Sequence, residues 1–449
     1  MRLKFAIYAW LSAFALLPVC GINAANPSWF ETDSAKAVNS RLASDFSLSM
    51  PQAVKNIKAL YPKVTNADID RFIDKHYLEI QIINGKKRMH RKSPRNLVLL
   101  NPSMNNWSGR GSESEPIRQK IADEIIKAAA SHDAEPVLTH RITIRFTIDV
   151  PYNEVLAGDT VKVWMPLPIE SDRQSNVKIL STSLHPYTVS TGHSVHNTIF
   201  MQQAVEKGKN SHFEYSFSYD CSALYFSPDF ILSHLKQYDK SSELYKKYTA
   251  VELPHIIKMD GLAHEIVGDE TNPFRQSELV FNYIVKHYPW AGAREYSTIP
   301  CIPQYVVDVR HGDCGQVALL YISLMRSLGV PARWESGWML HPGEKNLHDW
   351  AEVYFEGVGW VPIDVSFGRY TNAADLKTAN FYSTGIDFYR LATNKGVCDE
   401  LFPKKRFFRS DNVDLQKGEV ETSRGNLFYG GWNQHLEIIS IKPVNNNQN

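Results

Sequence analysis

The sequence predicts an α+β chain, and three observations carry that expectation. Residues 25–133 read as polar and mostly helical, residues 134–228 alternate apolar and polar positions, and residues 240–390 join one strongly apolar helix to a pair of alternating strands. The expected architecture is a Cys-bearing helix packed on an antiparallel sheet, preceded by a β-sandwich-like module and an N-terminal helical region. Residues 391–449 follow as a C-terminal extension whose last residues, Asn445 to Asn449, read as disordered.

The N-terminus reads as a targeting segment over residues 1–24. Arg2 and Lys4 give a positive start, residues 5–18 an apolar stretch, and Ile22-Asn23-Ala24 a small-residue cleavage site. The mature chain is therefore expected to be exported, either secreted or periplasmic. Cys20 invites a lipoprotein reading, but Val19 is larger than the residue that normally precedes a lipidated Cys. No later stretch is long and apolar enough for a transmembrane span.

Within residues 115–130, Ile117, Ile121, Ile125, Ile126 and Ala129 share one helical face. Ile142, Ile144, Phe146 and Ile148 then alternate with polar residues, as do Val161-Lys162-Val163-Trp164 and the segment 213–219, which suggests a small sandwich. Residues 276–287 form a helix leading into the third region. After Cys314 come Val317, Ala318, Leu320, Tyr321, Leu324, Met325 and Leu328 at helical spacing, with Gly329 and Pro331 as the stop. Cys314 thus opens a buried helix. Unpaired N–H groups and the dipole at that end favour an anion, so the thiol is expected to ionise below its free value of about 8.5.

A thiol nucleophile needs a base and a group that orients the base. His348 opens Asp349-Trp350-Ala351-Glu352-Val353-Tyr354-Phe355, which alternates as a strand does, and Asp364 lies on the next strand. A reversal at Glu356-Gly357 would set 348 opposite 364 and so deliver His348 and Asp364 together. His311 and His341 read as exposed or structural histidines, and Gln316 as facing away from the nucleophile.

These motifs resemble the transglutaminase-like superfamily of thiol enzymes, whose catalytic logic is papain-like. The resemblance rests on Arg310 to Cys314, Leu328-Gly329-Val330-Pro331-Ala332-Arg333, Gly337-Trp338, His348-Asp349-Trp350-Ala351-Glu352 and Gly359-Trp360-Val361-Pro362-Ile363-Asp364. Two positions depart from the family pattern. Asp349 stands where a small residue is more common, and Val365-Ser366 replaces the usual Pro-Thr. The resemblance implies Cys314, His348 and Asp364 as the catalytic triad, and an upstream aromatic, Trp290, as an oxyanion donor beside the Cys314 backbone N–H. The phrase Val163-Trp164-Met165-Pro166-Leu167-Pro168 resembles the β module that precedes such cores in bacterial proteins.

The implied activity is attack on amide carbonyls through a thioester acyl-enzyme. Water as acceptor makes a cysteine peptidase or amidase, and a lysine amine makes a transglutaminase. A catalytically silent scaffold and an enzyme acting on glycan-linked asparagine amides also remain open. The expected partner is a protein or peptide substrate.

Composition sets the outer limits. The chain has 449 residues, 43% hydrophobic and 12% aromatic, enough for two or three domains. Lys plus Arg number 49 against 48 Asp plus Glu, a balance that offers nothing to nucleic acid or a membrane surface. The basic run at 86–92 reads as a solvated loop. No cofactor or metal is expected: His264-Glu265 lacks a second His one turn on, and there is no CxxC, EF-hand loop or phosphate-cradling glycine loop. Cys221, Cys301 and Cys398 leave room for one bridge, with Cys314 free.

Overall fold

The structure is a computed structural model that describes residues 34–101, 115–368 and 375–444. The targeting segment expected at 1–24, with Cys20, and the tail 445–449 lie outside the described residues.

The N-terminal unit contains α1 (Ser34–Asp45), β1 (Leu48–Ser49), α2 (Met50–Leu60), α3 (Asn66–Asp74), β2 (Ile80–Ile83), β3 (Lys86–Met89), α4 (Ser93–Leu100) and α5 (Glu115–Ala129). Capping boxes start two of these helices, Ser49 with Gln52 and Thr65 with Asp68. Their apolar faces, with Ala53, Ile57, Ile69 and Phe72, close a small core over Met89 and Leu97. The run at 86–92 is not a loop. Lys86–Met89 is β3, the middle strand of the order β1-β3-β2, because Asn84 and Gly85 sit at φ of 50° and 72° and close a two-residue hairpin.

The β module comprises β4 (Val137–Val150), β5 (Thr160–Pro166), β6 (Gln174–Thr182), β7 (Thr188–Val189), β8 (Thr198–Ala204) and β9 (Ser211–Tyr225). The third region carries α6 (Pro228–His234), α7 (Glu243–Thr249), α8 (Asp260–Val267), α9 (Pro273–His287), α10 (Ile302–Val309), α11 (Cys314–Ser327), β10 (Ala332–His341), β11 (Glu344–Phe355), β12 (Gly359–Ile363), α12 (Leu376–Ala379), β13 (Gly385–Ile386) and β14 (Arg390–Asn394). The chain ends with β15 (Glu419–Thr422), β16 (Gly425–Leu427) and β17 (Asn433–Pro443).

These last strands return to the β module. β17 pairs with β4 and β15 with β5, so the module's two sheets run β13-β9-β4-β17, with β6 on β9, and β16-β15-β5-β8-β7. Ile142, Ile144, Phe146 and Ile148 of one sheet share a core with Val161, Val163, Met165 and Met201 of the other. The segment that the sequence sets apart as an extension therefore covers edges that would otherwise stay unpaired.

The third region is mixed, with α11 packed on an antiparallel sheet of order β12-β11-β10-β14. Ala318 to Ile322, Leu324 and Met325 are fully buried, so α11 is apolar nearly all round, as a helix enclosed on every side must be. The β11–β12 pairing sets Ala351 opposite Ile363 and Phe355 opposite Gly359, which centres the hairpin on Gly357, not on Glu356. Residue 348 is therefore not opposite 364. The register differs by two residues, one full side-chain period, so both side chains keep their face.

Gly337 is required by packing. β10 shifts register between Ser336 and Gly337, and a Cβ there would overlap the Leu391 carbonyl oxygen of β14. Gly337→Ala is expected to destabilise the fold by about 2–3 kcal/mol, read from urea unfolding, because rigid backbone rather than a side-chain tip must move. A loss within experimental error would show that β14 is free to shift.

Candidate active site

The position of Cys314 is built by its helix cap. Arg310, at φ 59°, ends α10 in a left-handed turn, and Asp313 then caps α11. The Gln316 N–H donates to Asp313 Oδ1 at 3.2 Å, and the Asp313 N–H donates to Gln316 Oε1 at 3.2 Å. Gln316 is therefore a fully buried capping residue. Cys314 is the first helical residue.

The loop before it runs alongside. Trp290 bridges Gly312 in parallel, with Ala291 N–H donating to the Gly312 carbonyl at 3.0 Å. The N-terminal unit holds this loop: Asn96 exchanges two 2.9 Å hydrogen bonds with the Gly292 backbone, Lys92 donates to the Ala293 carbonyl, and Arg294 pairs with Glu79 at 3.1 Å. Trp290 stays 45% exposed at the rim of a cleft of about 540 Å³. Cys314, His348, Asp349 and Tyr296 line that cleft, as do Asp411, Asp414 and Gln416 of the C-terminal segment.

His348 and Asp364 meet as their shared face requires. His348 Nε2 lies 2.7 Å from Asp364 Oδ2, and both side chains are buried. The imidazole stacks on Phe367, with 4.4 Å between ring centroids. Nε2 is thus committed to the carboxylate, and Nδ1 is the nitrogen available to the cleft. Asp364 Oδ1 accepts from Ser366 Oγ at 2.9 Å and from the Phe367 N–H at 3.3 Å, and the Arg390 guanidinium forms an ion pair with Oδ2, its Nη1 at 3.0 Å. His348 and Arg390 hold it far below the usual carboxylate range despite burial. The same burial, with Arg390 nearby, keeps His348 below its ordinary value although Asp364 opposes this.

Cys314 has a different partner. Its Sγ donates to Asp349 Oδ2 at 3.3 Å, and among the described residues it makes no hydrogen bond to His348. Asp349 Oδ1 in turn accepts from Gln416 Nε2 at 2.6 Å, and Tyr296 donates to Asp313 Oδ1 at 2.5 Å. The expectation of a lowered thiol value does not hold here. Burial first, then the carboxylates of Asp349 and Asp313, push the thiol well up and outweigh the helix N-terminus. Asp313 itself is raised to about 6, chiefly by desolvation.

The other sequence candidates fall outside the cleft. His311 is buried against the Val309 carbonyl and pushed down to about 4 by desolvation, and His341 pairs with Asp387 at 3.2 Å. Cys221 and Cys398 are free thiols, so the bridge left open among Cys221, Cys301 and Cys398 joins neither of them. Among the described residues no group of three or more His, Cys, Asp or Glu is arranged to hold a metal ion, and no helix is long and apolar enough to cross a membrane.

Sequence reasoning missed Arg390, Gln416, Asp414 and the contact made by Asp349. Arg390, a charge between Tyr389 and Leu391 in an apolar strand pattern, was the one with a local signal.

Comparison with known proteins gives a family match for the segment that carries these residues. Residues 260–365 match the Transglutaminase-like superfamily. An uncharacterized protein of Haemophilus influenzae is 31% identical over 159 residues, covering 28% of this chain and 41% of that protein. An uncharacterized protein of Bacillus subtilis, YebA, is 28% identical over 189 residues, 36% of this chain and 25% of that protein. The chain thus spans well under half the length of either relative. A proposed cysteine protease from Cytophaga hutchinsonii aligns at 14% identity over 67% of this chain and 91% of that one, with a TM-score of 0.43. The segment 260–365, which contains Cys314, His348 and Asp364, is a transglutaminase-like domain.

Proposed function

We propose that the protein is an exported thiol enzyme that cleaves amide bonds, a cysteine peptidase or amidase working in the periplasm or outside the cell. The observation that carries this reading is the buried His348–Asp364 pair on one wall of the cleft that Cys314 enters from the end of its helix. In this reading Cys314 Sγ gives its proton to His348 Nδ1 and attacks the carbonyl carbon. The Cys314 backbone N–H and the Trp290 indole stabilise the oxyanion. As the C–N bond breaks, the imidazolium returns the proton to the leaving nitrogen, and a thioester remains. Water, deprotonated by His348, then releases the acid and restores the thiol.

Hydrolysis is favoured over transamidation because a water acceptor needs no second specific pocket. The test is mass spectrometry of a peptide mixture incubated with the mature protein and a primary amine, beside Cys314→Ala. Cleaved or deamidated peptides with the wild type alone support hydrolysis, and amine-adducted glutamines make the protein a transglutaminase. Cys314→Ala should lose activity by about 10⁶-fold with its fold intact. Turnover retained in that variant would sink the triad. A second reading, the silent scaffold, is favoured by the hydrogen bond that holds the Cys314 proton on Asp349. Failure of Cys314 to react with iodoacetamide at any pH would select it.

A further inference from the structure

Asp349 occupies the position where the sequence departs from its family, and it is the residue that touches Cys314 Sγ, at 3.3 Å. It is not an isolated acid. Asp349, Asp414 and Asp411 line the same cleft, and the Asp414 N–H donates to Asp411 Oδ1 at 3.5 Å, so three carboxyl groups form a row beside the thiol. Asp349 and Asp414 are 2% and 1% exposed. The groups facing this row are known from every side. Asp313 and Cys314 face it from α11, Tyr296 from the loop after Trp290, and Gln416 and Arg409 from the C-terminal segment, with Lys417 on the cleft wall.

The donors are unevenly shared: Asp411 accepts from the Tyr429 hydroxyl at 3.4 Å and from the Val413 and Asp414 N–H groups at 3.4 and 3.5 Å, and fewer reach Asp349 and Asp414. Gln416 serves Asp349 Oδ1, Tyr296 gives its hydroxyl to Asp313, and Arg409 meets Asp414 through the backbone carbonyl. Neighbouring carboxyls so close cannot all ionise, and desolvation, followed by Asp313, pushes Asp349 well above the ordinary carboxylate range. The row therefore keeps a proton at a pH where exposed carboxyls have lost theirs.

We propose that Asp349 is a further catalytic residue, which in its protonated form donates a hydrogen bond to the Cys314 thiolate and in its ionised form holds the thiol neutral. The inference rests on Cys314 being the nucleophile. The proton balance is simple: the thiol proton goes to His348 Nδ1, and the Asp349 Oδ2 proton stays on Asp349 and turns toward sulfur. Below the pH at which the row ionises, the thiolate gains a donor. Above it, a buried negative charge opposes the thiolate at hydrogen-bond distance.

The test is the rate of iodoacetamide alkylation of Cys314, followed by peptide mass spectrometry from pH 4.5 to 8.5. Asp349→Asn keeps the shape and a donor but cannot ionise. It should react about tenfold faster than wild type above the pH at which Asp349 ionises, the worth of one pKa unit, with the ratio falling to near one below it. Asp411→Asn leaves the sulfur contact in place and removes a carboxylate that opposes ionisation of Asp349, so Asp349 ionises more easily. In that background the midpoint of the Asp349→Asn effect should move to lower pH. A ratio independent of pH, or a midpoint that Asp411→Asn does not move, overturns the proposal and leaves Cys314 as nucleophile. Absence of alkylation in every variant overturns both this inference and the proposed function.

Discussion

Asp364→Asn is expected to lower kcat by about 10⁴-fold, the scale on which a triad depends on the group that fixes its histidine tautomer. The asparagine oxygen can still face His348 Nε2, but it carries no charge to stabilise the imidazolium that forms when Cys314 ionises. The same substitution removes one of the two carboxylates around Arg390, so some stability goes with the activity. The measurement is the acylation rate in a single turnover, beside urea unfolding. A rate within tenfold of wild type would mean that Asp364 does not orient the base.

Arg390→Met is expected to have the largest effect on stability. The guanidinium is fully buried between Asp364 and Asp387, at 3.0 and 3.2 Å, and packs near Phe367 and Trp350. Removing it leaves two buried carboxylates with only His348 and His341 as charge partners. Breaking a buried pair in this way costs about 3–5 kcal/mol. The pH dependence has a definite sign. Asp364 and Asp387 are held below their unfolded values, so they contribute stability above about pH 4 that is lost as pH falls through their folded values. Without Arg390 that contribution shrinks. The gap between wild type and variant in urea unfolding should be full at pH 7 and narrow below pH 4. A deficit under about 1 kcal/mol at pH 7 would show that the histidines and relaxation suffice.

Arg390 matters to the proposed chemistry as well as to the fold. It shares Asp364 Oδ2 with His348, so it keeps the carboxylate ionised and also opposes a positive charge on the imidazole. Ser366, one of the two departures from the family pattern, supplies a 2.9 Å hydrogen bond to the other oxygen.

Local pattern was enough for several parts of this molecule. The helix from Cys314 to Ser327 follows from its apolar spacing, the Asp313 cap and the Gly329 and Pro331 stop. Strand alternation around His348 and ahead of Asp364 put both side chains on one face, and that survives a two-residue error in register because the period of a strand is two. Asn84-Gly85, just ahead of the basic run that reads as a loop, is a hairpin signal that the sequence reading passed over.

Other parts could not be read this way. The ionisation of Cys314 depends on burial and on Asp349, whose own ionisation is opposed by Asp411, about sixty positions further along the chain. Nothing in either stretch specifies that approach. The strands from 419 to 443 likewise find their partners in β4 and β5, more than two hundred residues earlier, and short alternating segments pair with any compatible edge. The sequence by itself determined the identities, order and facing of Cys314, His348 and Asp364, because helix and strand periodicity are local properties of the backbone. Only the tertiary structure decided which charges surround them, because Coulomb and desolvation energies depend on distance and burial in space.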